Sequence, residues 1–239
     1  MDYGIQMYSL RDITKTDLDG ALAKVAAQGY KYIEFAGFFD HTAEEINAML
    51  NKYNLILIGT HSGMPDLVNK FDETLAYHKA IGNKRYIIPW YDLSTAAKID
   101  AFVELYKQIA PKLQAEGINL YYHNHSQEFK PNNDGLVPAY ELLKRTDILF
   151  EIDTYWSYVA GKDSVAVLDE FGDRVKLVHL KDGDPAGKGC SLGSGSCPVA
   201  AIRAKAIEMG IGMVVESEGL DPTGEEEVKR CIDYLRTLD

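Results

Sequence analysis

The chain has 239 residues, 46% of them hydrophobic and 26% charged, which is the composition of an ordinary globular protein and excludes a disordered or fibrous one. A formal net charge of −11 opposes a nucleic-acid partner, because phosphate binding needs a concentrated basic surface. No apolar stretch approaches the roughly 18 residues of a membrane span, and the start MDYGIQMYSLRD lacks a signal peptide's basic and apolar regions, so a cytoplasmic protein without a membrane partner is expected.

Along the chain, short runs rich in Val, Ile, Tyr and Leu alternate with longer segments of helical period, as βαβ units around a parallel sheet do. The strand candidates are YGIQMYSL from Tyr3, KYIEFAGF from Lys31, LILIGTHS from Leu55, RYIIPWY from Arg85, INLYYHNH from Ile118, ILFEIDTYW from Ile148, VKLVHLKD from Val175 and IGMVVESE from Ile211. Between them the period predicts helices over Asp17–Gln28, Thr42–Tyr53, Thr95–Glu116 and Glu225–Leu238. Asp17, Thr42 and Ser94 stand where N-caps are wanted, with Glu45 completing a capping box after Thr42, and Gly29, Gly117 and Gly210 stand where helices stop. Units spaced about 30 residues apart, with no G-x-G-x-x-G after the first strand, favour a closed (β/α)8 TIM barrel as a single domain over an open doubly wound sheet. Cys190, Cys197 and Cys231 form no CxxC pair and are read as buried or incidental thiols.

In such a barrel chemistry gathers at the C-terminal ends of the strands. Here strand after strand starts apolar and ends in a possible ligand or acid–base group: Glu34, His61, His123 with His125, Asp153, His179 with Lys181, and Glu216 with Glu218. Residues two apart share a face, so Glu151 joins Asp153. If Asp153, His179 and Glu216 all face the axis, they bring two carboxylates and an imidazole to one point, a set suited to one divalent ion, Mn²⁺, Zn²⁺, Co²⁺ or Mg²⁺. Such an ion polarises a carbonyl and stabilises an enediolate. Taken singly, Glu151 or Glu218 equally reads as a cap or half an ion pair, Glu34 as a solvated acid and His61 as a structural histidine; taken together, the ring of groups points to a site. His41 and His78 are expected at the surface.

The ordered elements IQMYSLRD, YIEFAGF, YHNHSQEF, FEIDTYW, VHLKDG and VVESEG resemble the xylose isomerase-like barrel superfamily of sugar phosphate isomerases and epimerases, which shares its barrel with AP endonuclease-type enzymes. The resemblance spans nearly the whole chain. It implies a metal held by ligands from strands five to eight, with Asp153, His179 and Glu216 in three of the places. Many relatives carry a glutamate on strand five where this chain reads LYYHNH; Glu128 is the first choice to replace it, with His123 or His125 as the alternative. By the same resemblance Glu216 is one catalytic acid–base group and its counterpart lies among Glu128, Lys181 and a histidine. Glu34, His61, His123, His125, Trp156 and Lys181 are candidates for substrate contact. Lys181 would hold an oxyanion or a phosphate, and the loop GKGCSLGSGSCP would either cradle phosphate or serve as an ordinary mobile loop.

The expected activity is isomerisation or epimerisation of a sugar or sugar phosphate through proton transfer beside a carbonyl. Elimination by a dehydratase or lyase on the same site is the rival. A nuclease is disfavoured by the acidic composition, a non-catalytic sugar-binding barrel remains a third reading, and a homo-oligomer is left open by the Tyr-rich rim.

Overall fold

All eight apolar runs form strands in the computed structural model, which describes residues 1–239. They are β1 (Gly4–Gln6), β2 (Tyr32–Phe35), β3 (Ile56–His61), β4 (Arg85–Ile88), β5 (Asn119–His123), β6 (Leu149–Asp153), β7 (Val175–Leu180) and β8 (Gly212–Val215). Each pairs in parallel with the next, and β8 returns to β1, so the sheet closes into a TIM barrel with helices outside. The register aligns the strand ends that matter: His123 lies opposite Glu151, Asp153 opposite His179, and Gln6 opposite Glu34. A two-stranded ribbon, Asp182–Gly183 with Gly189–Cys190, stands outside the barrel after β7.

The caps follow from local chemistry. Asp17 accepts the Gly20 N–H at the start of helix Leu18–Gln28, and Gly29, at φ 96°, takes the left-handed stop that a side chain would resist. Thr42 and Glu45 form the expected box on helix Ala43–Tyr53. Two expectations shift slightly: Thr95 rather than Ser94 caps helix Ala96–Ala115, and the last helix runs Gly224–Thr237 behind a Thr223 cap.

Strand alternation sorts the core. On β6, Phe150 and Ile152 join the large apolar cluster between sheet and helices, while Leu149 packs on an inner cluster of Ile58, Ile87, Tyr121, Leu177 and Val214. That inner cluster is the apolar floor of the barrel. Glu151 and Asp153 follow Leu149 on the same inward face, above the floor. Gly59 belongs to this packing, because a Cβ there would come within 2.7 Å of Ile87 and 3.3 Å of the Glu34 carboxylate.

One expectation fails. His78 is not a surface group: it sits on helix Phe71–Ala80, only 3% exposed, with its Nδ1 3.0 Å from Asn83 Nδ2 and 3.4 Å from Thr60 Oγ1. Burial pushes its pKa down to about 4, so it is a neutral, hydrogen-bonded core histidine. The helix packs that face inward, and helical position alone could not reveal it. No helix is long and apolar enough to cross a membrane.

Candidate metal centre and active site

Above the floor, β2, β3, β5, β6, β7 and β8 deliver a buried polar layer. One group comprises His123, Asp153, His179 and Glu216, one residue from the end of each of β5 to β8, with ligand atoms within 4.8 Å of one another. His179 ties it together. Its Nδ1 lies 3.3 Å from Glu216 Oε2 and 3.9 Å from Asp153 Oδ2, while its Nε2 lies 2.8 Å from Glu34 Oε1. With the proton on Nε2 donated to Glu34, the Nδ1 lone pair faces the two carboxylates, an arrangement in which a carboxylate orients a ligating imidazole. Glu34 is itself held by Gln6, whose Nε2 donates to the same Oε1 at 2.6 Å.

Asp153 is shared between structure and site. Its Oδ1 accepts the Trp156 N–H at 2.8 Å, capping helix Thr154–Val159, and its Oδ2 is buried with no partner. The middle residue of the HNH stretch locks its backbone: Asn124 Oδ1 accepts the Asp153 N–H at 3.0 Å and Asn124 Nδ2 donates to the Asp153 carbonyl at 3.1 Å. His123 Nδ1 is also buried and faces Glu151 Oε2 at 3.4 Å, outside hydrogen-bond geometry. An unpartnered buried carboxylate oxygen is costly, and Asp153 Oδ2, converging with the His123, His179 and Glu216 ligand atoms from neighbouring strands, fits a divalent cation. The residues present therefore suit a metal.

Below this group, His61, Glu151 and Glu34 meet the other side of His179. His61 Nε2 lies 2.8 Å from Glu151 Oε2 and 3.2 Å from Glu34 Oε1, and its ring stacks on that of His179 at 5.4 Å. Burial, reinforced by the neighbouring Glu151 carboxylate, raises Glu34 to about 7. Burial also works against the Glu151 anion, but His179, His123 and His61 outweigh it and hold that carboxyl well below its usual range. Asp153 is raised to about 7 by burial, against the pull of Lys181 and His179.

Lys181 continues the β7 face. It is fully buried, with its ammonium 2.7 Å from Glu218, 3.3 Å from Glu216 and 4.8 Å from the Trp156 ring centre. Burial favours its neutral form, yet Glu216, Asp153 and Glu218 more than reverse this and keep it charged. The His125 ring lies 5.8 Å from that of Trp156, at the rim. A mouth cavity of about 480 Å³, bounded by Tyr8, His61, Pro89, His125 and Glu218, opens above the group, a size suited to a small ligand.

Glu34, His61, His123, Asp153, His179, Lys181 and Glu216 thus converge, with His125 and Trp156 at the edge. Glu128 does not. It is 1% exposed and belongs neither to the group of His123, Asp153, His179 and Glu216 nor to a second set that could hold a metal, His61, His123, Glu151 and His179; its Oε2 accepts the His125 N–H at 2.8 Å and its Oε1 accepts the Tyr122 hydroxyl at 3.2 Å. The 3-10 turn Ser126–Phe129 carries it away from the axis, towards a separate cavity beside Trp90 and Asn132, so its expected roles as ligand and acid–base group are corrected. Sequence reasoning did not single out Gln6, and it left Glu151 with a structural alternative. The signal for Glu151 was its spacing two residues before Asp153; for Gln6 it was a lone amide between Ile5 and Met7.

The model of the xylose isomerase-like TIM barrel family matches residues 22–238. The chain belongs to this family. Among curated relatives, inosose dehydratase of Geobacillus kaustophilus is 23% identical over 189 residues, 69% of this chain and 61% of the relative, so the chain spans about three fifths of that relative's length. A sugar phosphate isomerase/epimerase from Parabacteroides distasonis superposes with TM-score 0.84 at 24% identity, covering 98% of this chain and 93% of the other. The IOLI protein, solved with a bound zinc atom, gives TM-score 0.75 at 15% identity over 100% and 98% of the two chains. At the end of β5 this xylose isomerase-like barrel presents His123.

Proposed function

We propose that this protein is a metal-dependent isomerase or epimerase of a small sugar-like carbonyl compound. The observation that carries the reading is the convergence of His123, Asp153, His179 and Glu216 from consecutive strands, with the buried Asp153 Oδ2 left without a hydrogen-bond partner. These four residues would hold one divalent ion. When bound, the ion polarises the substrate carbonyl and acidifies the neighbouring C–H.

The chain's own groups do the rest. Glu216 Oε2, beside the Lys181 ammonium at 3.3 Å, is held ionised against the effect of burial and accepts the substrate proton. Lys181 keeps both Glu216 and Glu218 charged and faces the developing oxyanion. His125 lines the same cavity with an unpartnered Nδ1 and is the group placed for the second proton transfer. His61 and Trp156 bound the space in which a polyhydroxylated substrate lies. The partner is such a small molecule rather than nucleic acid, in keeping with the acidic chain. The similarity to proteins named as a sugar phosphate isomerase/epimerase and an inosose dehydratase supports the substrate class.

A second reading, elimination of water or of an aglycone, is favoured by one feature. With His123 in place of a strand-five carboxylate, Glu216 is the single metal-flanking glutamate, and elimination needs one base where epimerisation needs groups on two faces. The test is incubation of Mn²⁺-loaded protein with ketoses and inososes in D2O, followed by NMR. Deuterium in recovered sugar, falling by about 10²- to 10⁴-fold in Glu216→Gln, is the expected result. Loss of water or aglycone without exchange would establish the second reading, and neither reaction across the panel would contradict both.

A further inference from the structure

Barrels of this architecture commonly hold phosphate in the loops after the seventh and eighth strands, and glycine-rich GKGCSLGSGSCP makes the first of these the natural place. In the structure its amides are already engaged. The Asp182 side chain, 1% exposed, accepts four of them: Oδ1 from Gly183 at 2.8 Å and Cys197 at 3.0 Å, Oδ2 from Gly193 at 2.9 Å and Gly195 at 3.0 Å. The backbone closes so tightly that a Cβ on Gly195 would lie 2.3 Å from the carboxylate.

After β8, Glu227 on the last helix is also engaged: 1% exposed, it accepts the Ser191 and Ser217 hydroxyls at 3.1 and 2.9 Å and the Asp221 N–H at 2.9 Å, and it pairs with the Arg230 guanidinium at 3.1 Å. The mouth cavity is lined by Glu216 and Glu218 and by no lysine or arginine, and neither Asp182 nor Glu227 reaches it. Lys181 lies beneath, fully buried and spent on those same two carboxylates, and the Arg11 guanidinium donates to the Tyr8 and Glu218 carbonyls.

We infer that the site takes an uncharged polyhydroxy carbonyl compound and rejects its phosphate ester, because Asp182 occupies the amides of the loop after β7 and Glu216 and Glu218 line the mouth. The Asp182 carboxylate fills the amide nest that would receive a phosphate, and the acids at the mouth repel a dianion. Like charges set against each other are an effective means of excluding a ligand. This rests on the sugar-directed reading above, and it goes further by dividing free sugars from their phosphates.

The test is calorimetric titration of Mn²⁺-loaded protein with matched pairs, D-fructose and D-fructose 6-phosphate, D-tagatose and D-tagatose 6-phosphate, together with melting curves in inorganic phosphate. A free sugar should bind at least about tenfold more tightly than its ester. Inorganic phosphate should leave the wild-type melting temperature unchanged and raise that of Asp182→Ser, whose four amides are released. An ester that binds as tightly as its parent sugar, or wild type stabilised by phosphate, would overturn the inference. If no sugar or ester binds the metal-loaded protein, the sugar-directed reading fails, and the phosphate melts still decide whether the loops accept an anion. Should Asp182→Ser not fold by far-UV circular dichroism, the wild-type phosphate melt decides alone.

Discussion

His179 uses both ring nitrogens for different purposes, and most of the site's logic follows from that. Nε2 is fixed by Glu34 at 2.8 Å, and Glu34 by Gln6 at 2.6 Å, so a three-residue relay across β1, β2 and β7 sets which nitrogen faces Asp153 and Glu216. Outer partners of this kind typically change metal affinity by about 10- to 100-fold when altered. Glu34→Gln is therefore expected to weaken Mn²⁺ binding by that order while leaving the fold intact, as read by metal titration alongside far-UV circular dichroism; unchanged affinity would make Glu34 a bystander. The same scale explains what the residues did and did not disclose. Asp153, His179 and Glu216 were legible because each ends an apolar strand in phase with its inward face. Glu128 misled because it is an acid next to the right strand, yet a single 3-10 turn rotates it into a cap on His125.

Elements carry the next level. Strand period and cap chemistry are local, so the starts of the eight strands and the Asp17, Thr42 and Gly29 signals were readable to within a residue, whereas several strands stop three or four residues before the apolar runs do. His78 was not, because its burial depends on the neighbouring strand residue Thr60 and on Asn83, beyond the helix itself. Its depressed pKa makes a prediction with a definite sign. The folded value of about 4 lies below the ordinary 6.5, so the unfolded chain binds the proton first as pH falls. The contribution is intact above pH 6.5 and is lost progressively towards pH 4, to a limit of about 3 kcal/mol. Urea unfolding of His78→Gln should show a flatter pH profile across that window than wild type, and parallel profiles would mean that His78 is accessible to water. In the barrel floor, Leu177→Ala should cost about 2–5 kcal/mol, read from the urea midpoint, because the closed ring of Ile58, Ile87, Tyr121 and Val214 leaves little room to collapse.

At the scale of the whole molecule, closure of the barrel converts eight separate strand ends into one site. The alternating pattern made the architecture legible, and the ordered motifs from IQMYSLRD to VVESEG resembled the family to which the chain belongs. What the sequence left open was the strand-five ligand, because a choice among His123, His125 and Glu128 depends on where β5 stops and the chain turns, a matter of tertiary geometry. We propose His123 for that place, because its ring and its neighbours Asp153, His179 and Glu216 form a four-residue group that could hold a metal ion and that does not include Glu128. The most direct test is the metal content of purified wild type, His123→Ala and Glu128→Ala by elemental mass spectrometry after reconstitution with Mn²⁺ or Zn²⁺. The expected result is about one equivalent in wild type and in Glu128→Ala, and loss in His123→Ala. Retention in His123→Ala with loss in Glu128→Ala would contradict the assignment, and no metal in wild type would contradict the metal-dependent mechanism itself.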